Sequence, residues 1–76
     1  MPTRKSEVRV SARNRLSGTV VAVKLGDVVA QVTIRVGRQI VDAVITRDSA
    51  EELALRKGDR VAALIKSTEV MVLKEA

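Results

Sequence analysis

The 76-residue sequence has no cysteine, no histidine and no aromatic residue. Without Cys or His, zinc, iron–sulfur, haem and blue-copper centres lack their usual ligands. Thiol catalysis and imidazole general-base catalysis are excluded for the same reason. No disulfide framework exists, so nothing in the cysteine usage points to an oxidising compartment. No apolar run approaches the roughly 18 residues of a membrane-spanning helix. The N-terminus has a basic start but no apolar stretch behind it, unlike a secretory signal. These absences lead to the expectation of a soluble cytoplasmic protein with no membrane partner.

What the chain does hold is aliphatic and basic. Lys and Arg number 14 against 9 Asp and Glu, a formal charge of +5. Val and Ile supply 18 of the apolar residues, and β-branched side chains suit the pleated surface of strands. A domain of this size buries only about 60% of its unfolded surface and is marginal alone. With no disulfide or structural metal to help, oligomerisation is the remaining route to stability.

The sequence divides into a flexible basic tail, residues 1–9, and one domain, residues 10–76. Within the domain, residues 17–25 (SGTVVAVKL) read as a first strand ended by the turn-prone pair Gly26-Asp27. Residues 28–36 alternate most clearly, with Val28, Ala30, Val32, Ile34 and Val36 on one face. After a Gly37-Arg38 turn, residues 39–46 form a third strand. Ser49-Ala50-Glu51-Glu52 has capping-box spacing, which predicts a short helix over residues 50–54 with Ser49 as its cap. Leu53 and Leu55 are expected to anchor it. A fourth strand (residues 60–66) and a fifth (residues 69–73) complete the pattern. The expected fold is all-β: a small five-stranded OB-like barrel with one short helix between strands 3 and 4. Several strands are apolar on both faces. Val20 and Ala22 are expected opposite Val21 and Val23, and Ile40 and Val44 opposite Val41, Ala43 and Ile45. One barrel has one interior, so the second apolar face calls for another subunit.

Three clusters carry chemistry. Ser11-Ala12-Arg13-Asn14 groups a hydroxyl, a guanidinium and a carboxamide ahead of the first strand. Thr46 and Ser49 flank the start of the helix, and Lys66-Ser67-Thr68 lies between the last two strands. Each has a purely structural reading as well: a polar strand entry, a helix cap and a solvated strand end. Their shared character is an excess of donors, which suits an oxyanion. The carboxylates Asp48, Glu51, Glu52 and Asp59 have no nucleophile or metal partner in the sequence, and no enzymatic role is expected.

Taken in order, three stretches resemble the molbindin family, small molybdate-binding proteins built on a single TOBE-type domain. They are Ser11-Ala12-Arg13-Asn14 with Leu16 and Gly18-Thr19-Val20; Ala43-Val44-Ile45-Thr46 with Ser49 and Glu51-Glu52-Leu53; and Leu64 through Met71. The resemblance covers about residues 10–73. It implies a homohexamer, a trimer of dimers, holding molybdate or tungstate between subunits, with no other cofactor. Carried over by position, the implied ligands are Ser11, Ala12 (through its backbone), Arg13, Thr46, Ser49, Lys66 and Ser67. Some relatives have a basic residue where this chain has Glu52, so that contact is absent here. Intracellular molybdenum storage or homeostasis is the implied role.

Two other readings compete. A basic OB-like barrel suits nucleic acid, but single-strand binders stack bases on aromatic platforms that this chain lacks. A regulatory or interaction module without a ligand is the other, held together by its apolar strand faces.

Overall fold

The computed structural model describes residues 11–75. The tail expected over residues 1–9 lies outside the described residues. Four strands form one antiparallel sheet: β1 (Asn14–Leu25), β2 (Val29–Val36), β3 (Gln39–Thr46) and β4 (Arg60–Ile65). Their spatial order is β3-β2-β1-β4. Helix α1 (Arg47–Glu52) lies between β3 and β4, and a 3-10 turn, Ser67–Glu69, follows β4. The structure is mostly β with one short helix.

Strand β1 is the shared spine. Its N-terminal half, Asn14 to Thr19, pairs with β4, and its C-terminal half, Thr19 to Leu25, pairs with β2. Thr19 is therefore flanked by both Arg35 and Arg60. The register slips between Val20 and Ala22, a β-bulge that leaves Val21 without a cross-strand partner. A bulge inserts one residue and so reverses side-chain parity. Val23 consequently packs beside Val20, in correction of the expectation that the two oppose each other. The buried side chains Val20, Val32 and Ile34 make the core, with Val23, Val36, Ile45, Leu55, Val61 and Ala63 packed around them.

Two glycines have specific work in this arrangement. A Cβ on Gly18 would sit 2.5 Å from the Arg35 carbonyl oxygen, so β1 and β2 approach there only because that carbon is absent. Gly37, at φ +60°, opens the two-residue turn between β2 and β3, where a positive φ matches the twist of the strands it joins.

The helix begins earlier than its sequence suggests. Thr46, the last residue of β3, is its N-cap, and the Ser49 amide donates to the Thr46 hydroxyl oxygen at 3.0 Å. Thr46 and Ser49 have the same three-residue spacing that Ser49 has to Glu52. The cap forms at the first of these because Thr46 is already held in extended conformation by the sheet. The helix ends in a Schellman pattern, with the Ala54 amide donating to the Glu51 carbonyl and the Leu55 amide to the Ala50 carbonyl. Ala54 carries the positive φ, 51°, that this motif usually assigns to glycine. Ala50 is the buried residue of the helix; Leu53 is exposed rather than an anchor, whereas Leu55 does reach the core.

The sheet differs most from expectation at its far end. Beyond the 3-10 turn, residues 70–75 form no ladder with any of the described residues, so the described residues show four strands where five were expected. Met71, Val72 and Leu73 are 93%, 92% and 85% exposed. A strand needs both paired backbone groups and a covered apolar face. Neither is supplied to this segment by the described residues. The barrel is accordingly an open sheet, and a cleft of about 720 Å³ lies between edge strands β3 and β4. Val32, Ile34, Ile45, Leu55, Val61 and Ala63 are among its lining residues.

Candidate functional site

The seven sequence-predicted residues fall into two groups. Ser11, Ala12 and Arg13 lead into β1, whose first residue, Asn14, pairs with Ile65, the last residue of β4. The Asn14 amide nitrogen donates to the Ile65 carbonyl at 3.1 Å. Arg13 and Lys66 are the next residues outward from that pair. One end of the sheet therefore gathers Ser11, Ala12, Arg13, Lys66 and Ser67, a set with two cations and two hydroxyls. All but the half-buried Ala12 are exposed. Asn14, grouped with these donors in the sequence, has its amide occupied in tying β1 to β4.

Thr46 and Ser49 lie elsewhere, where β3 meets α1. Thr46 pairs with Val29, at the start of β2, and β2 begins beside the C-terminal end of β1. The two groups thus sit toward opposite ends of the 12-residue strand β1. That separation is on the order of 35 Å of extended strand path at about 3.3 Å per residue. Among the described residues no hydrogen bond joins one group to the other.

The Thr46–Ser49 pair is internally ordered. The Thr46 hydroxyl accepts from the Ser49 amide and donates to the Ser49 hydroxyl oxygen at 2.8 Å. This leaves the proton of the Ser49 hydroxyl to be offered outward. Next to it stands Arg47, a residue to which the sequence motifs gave no role. Its Nε donates to Glu51 at 3.0 Å and its Nη1 to the Gly26 carbonyl at 3.1 Å. The i,i+4 spacing of Arg47 and Glu51 is the signal by which sequence alone would have found this pair.

None of the seven residues lines the apolar cleft between β3 and β4. The cleft is lined mainly by aliphatic side chains, with Asp42, Asp59 and Arg60 also in its wall, and the seven candidate residues stand outside it. Among the described residues no group of acidic side chains could hold a metal ion. No helix is long and apolar enough to cross a membrane. The seven candidate residues offer hydroxyls, a guanidinium, an ammonium and backbone amides, a donor-rich set that suits an anion.

Comparisons with known proteins agree on one family. The TOBE domain model matches residues 10–72. Molybdenum-pterin-binding protein 3 of Clostridium pasteurianum is 48% identical over 65 residues, which cover 84% of this chain and 96% of that protein. The solved structure of a molybdate-binding protein from Sporomusa ovata superimposes with a TM-score of 0.85 at 40% identity, covering 88% of this chain and all of that one. An apo form of MopII from Clostridium pasteurianum gives a TM-score of 0.81 at 42% identity, covering 87% of this chain and all of that one. With a family match over most of its length and relatives whose own length it almost fully spans, the chain belongs to the TOBE-domain family and, within it, to the molybdenum-pterin-binding, or molbindin, group.

Proposed function

We propose that this protein binds molybdate, and the nearly isosteric tungstate, as a tetrahedral dianion at the interfaces of a homo-oligomer. The observation that carries the reading is the division of the donor set. Ser11, Ala12, Arg13, Lys66 and Ser67 stand at one end of the sheet, and Thr46 and Ser49 belong to a different corner. One chain cannot close these around a single small anion, whereas two chains placing unlike ends together can. The relatives named for molybdate or molybdenum-pterin binding support the choice of anion.

The assembly has a physical basis in the same chain. An open cleft flanked by two free strand edges, together with an exposed apolar segment at residues 70–73, suits mutual exchange. The segment of one copy enters the cleft of another as the fifth strand and closes the barrel. Lys66 and Ser67 immediately precede that segment, so strand exchange brings them to the neighbouring subunit. A hexamer, as a trimer of dimers, is the assembly we propose.

Selectivity follows from the donors. The seven residues include no carboxylate, so the proton of a monohydrogen phosphate finds no anionic acceptor among them, only hydroxyl oxygens, whereas fully deprotonated molybdate needs none. Sulfate carries the same charge in a smaller volume, and its exclusion rests on the size of the assembled cavity. Binding across subunits couples anion to assembly by mass action. The role is that of a cytoplasmic store or buffer of the oxyanion, in which molybdate is cargo and no catalysis takes place.

Calorimetric titration with molybdate, tungstate, sulfate and phosphate, with light scattering for mass, tests the reading. Saturable heats with molybdate and tungstate, weak sulfate and phosphate binding and an oligomeric mass are expected. A monomer, or an oligomer that gives no heat with molybdate, overturns it.

A further inference from the structure

Arg47 occupies a corner where three pieces of the fold converge. Its backbone amide donates to the Val28 carbonyl at 2.8 Å, across the turn that follows β1. Its Nη1 donates to the Gly26 carbonyl in the same turn, and its Nε donates to Glu51, one helical turn along α1. The turn is itself closed by the Gly26 amide on the Val29 carbonyl at 2.7 Å. Val29 pairs with Thr46, the residue immediately before Arg47.

Helix α1 needs such a fastening. It has six residues, far below the length at which a helix holds itself in water, and its one buried side chain is the methyl of Ala50. A planar guanidinium with fixed donor directions can hold a helix carboxylate and a turn carbonyl at once, which a point-like ammonium does poorly. Resting on the anion-binding reading above, we propose that Arg47 is the positioning residue of the Thr46–Ser49 half-site. It fixes α1 against the β1–β2 turn and thereby sets the direction in which the Ser49 hydroxyl meets the oxyanion. Glu51 belongs to the same device as the acceptor that orients the guanidinium.

The sign of one substitution separates this role from a simple charge effect. Removing Glu51 removes a negative charge beside an anion site, which by electrostatics alone tightens binding. If Arg47 acts by position, losing Glu51 loosens the guanidinium and weakens binding instead. Alanine is also the best helix former, so Glu51→Ala leaves the helix its propensity. The experiment is molybdate titration of the parent protein, Glu51→Ala, Arg47→Lys, Ser49→Ala and the Arg47→Lys/Ser49→Ala double variant, each checked for oligomeric mass.

Glu51→Ala is expected to weaken molybdate binding about two- to threefold, and Arg47→Lys about three- to tenfold despite its retained charge. In the Ser49→Ala background, Arg47→Lys is expected to add nothing, because the group it positions is gone. Tighter binding by Glu51→Ala, parent-like binding by Arg47→Lys, or an equal loss with and without Ser49 overturns the positioning role while leaving the anion site standing. No molybdate binding by the parent protein overturns both.

Discussion

The two donor groups of this sheet are built on opposite plans. At the β3–α1 corner the hydroxyls of Thr46 and Ser49 are bonded to each other, the helix is capped by one of them, and Arg47 ties the helix to the neighbouring turn. At the β1–β4 end the donors Ser11, Arg13, Lys66 and Ser67 are exposed, and the Asn14 amide on the Ile65 carbonyl is the side-chain bond nearest to them. The corner is held by its own hydrogen bonds; the other end supplies two positive charges and little internal order. The difference teaches how a small domain can divide a binding task. Fixed hydroxyls give geometry at low ordering cost, and long cationic side chains give reach and charge at a larger one. In the assembly proposed above, contact between subunits joins the two.

The largest expected effect comes from preventing that junction. Met71→Asp places a charge in the segment proposed to fill the partner's apolar cleft, and burying an unpaired charge there costs several kcal/mol. Light scattering is expected to show a smaller particle, and calorimetry a loss of molybdate binding of more than tenfold. An intact oligomer with parent-like affinity would sink the exchange of residues 70–73.

Next in size are the charges of the β1–β4 end. Arg13→Ala or Lys66→Ala removes a charge-assisted donor and is expected to weaken molybdate binding by about 1.5–3 kcal/mol. The thermal midpoint of the anion-free protein should hardly move, because both side chains are exposed. Binding by Arg13→Ala as tight as the parent's would remove that end from the site.

At the ordered corner the balance should reverse. Thr46→Val deletes the N-cap oxygen and is expected to cost about 1 kcal/mol of stability in urea melts. It should also weaken binding about fivefold through the freed Ser49 hydroxyl. A loss of affinity with no loss of stability would show that Thr46 contacts the anion without supporting the helix. The smallest effect is a gain. Ala54→Gly relieves the left-handed conformation at the end of α1 and is expected to stabilise the protein by about 0.5–1 kcal/mol with affinity unchanged.

How much of this was legible depends on whether a feature is local. Strand β3 spans residues 39–46 as expected, and in β2 the alternation selects the inward face Ala30, Val32 and Ile34, although Val28, expected on the same face, precedes the strand and is exposed. The bulge was not legible. Residues 20–23 are Val-Val-Ala-Val, apolar on both faces, so an inserted residue leaves no mark on the pattern. The helix start shifted by three residues because Thr46-x-x-Ser49 and Ser49-x-x-Glu52 offer the same cap spacing, and only the end of the sheet chooses between them. The three donor clusters were visible by residue type, and the family resemblance picked the candidate ligands from them; the Arg47–Glu51 spacing was present in the sequence, but the Gly26 carbonyl becomes a partner only when the β1–β2 turn is folded against α1.

By itself, the sequence determined the chemical class of the protein. An aliphatic β-rich chain without Cys, His or aromatics lacks the usual ligands of zinc, iron–sulfur and haem centres, a thiol nucleophile and base-stacking platforms, and its polar clusters are rich in donors. It also determined the strands, because side-chain alternation and turn-forming glycines act within a few residues. Only the tertiary structure decided that β1 serves both halves of the sheet, that residues 70–75 pair with nothing among the described residues, and that the donors stand at separate ends. These features depend on which backbone groups meet across long stretches of chain, and strand pairing is settled by register, bulges and free edges rather than by local propensity.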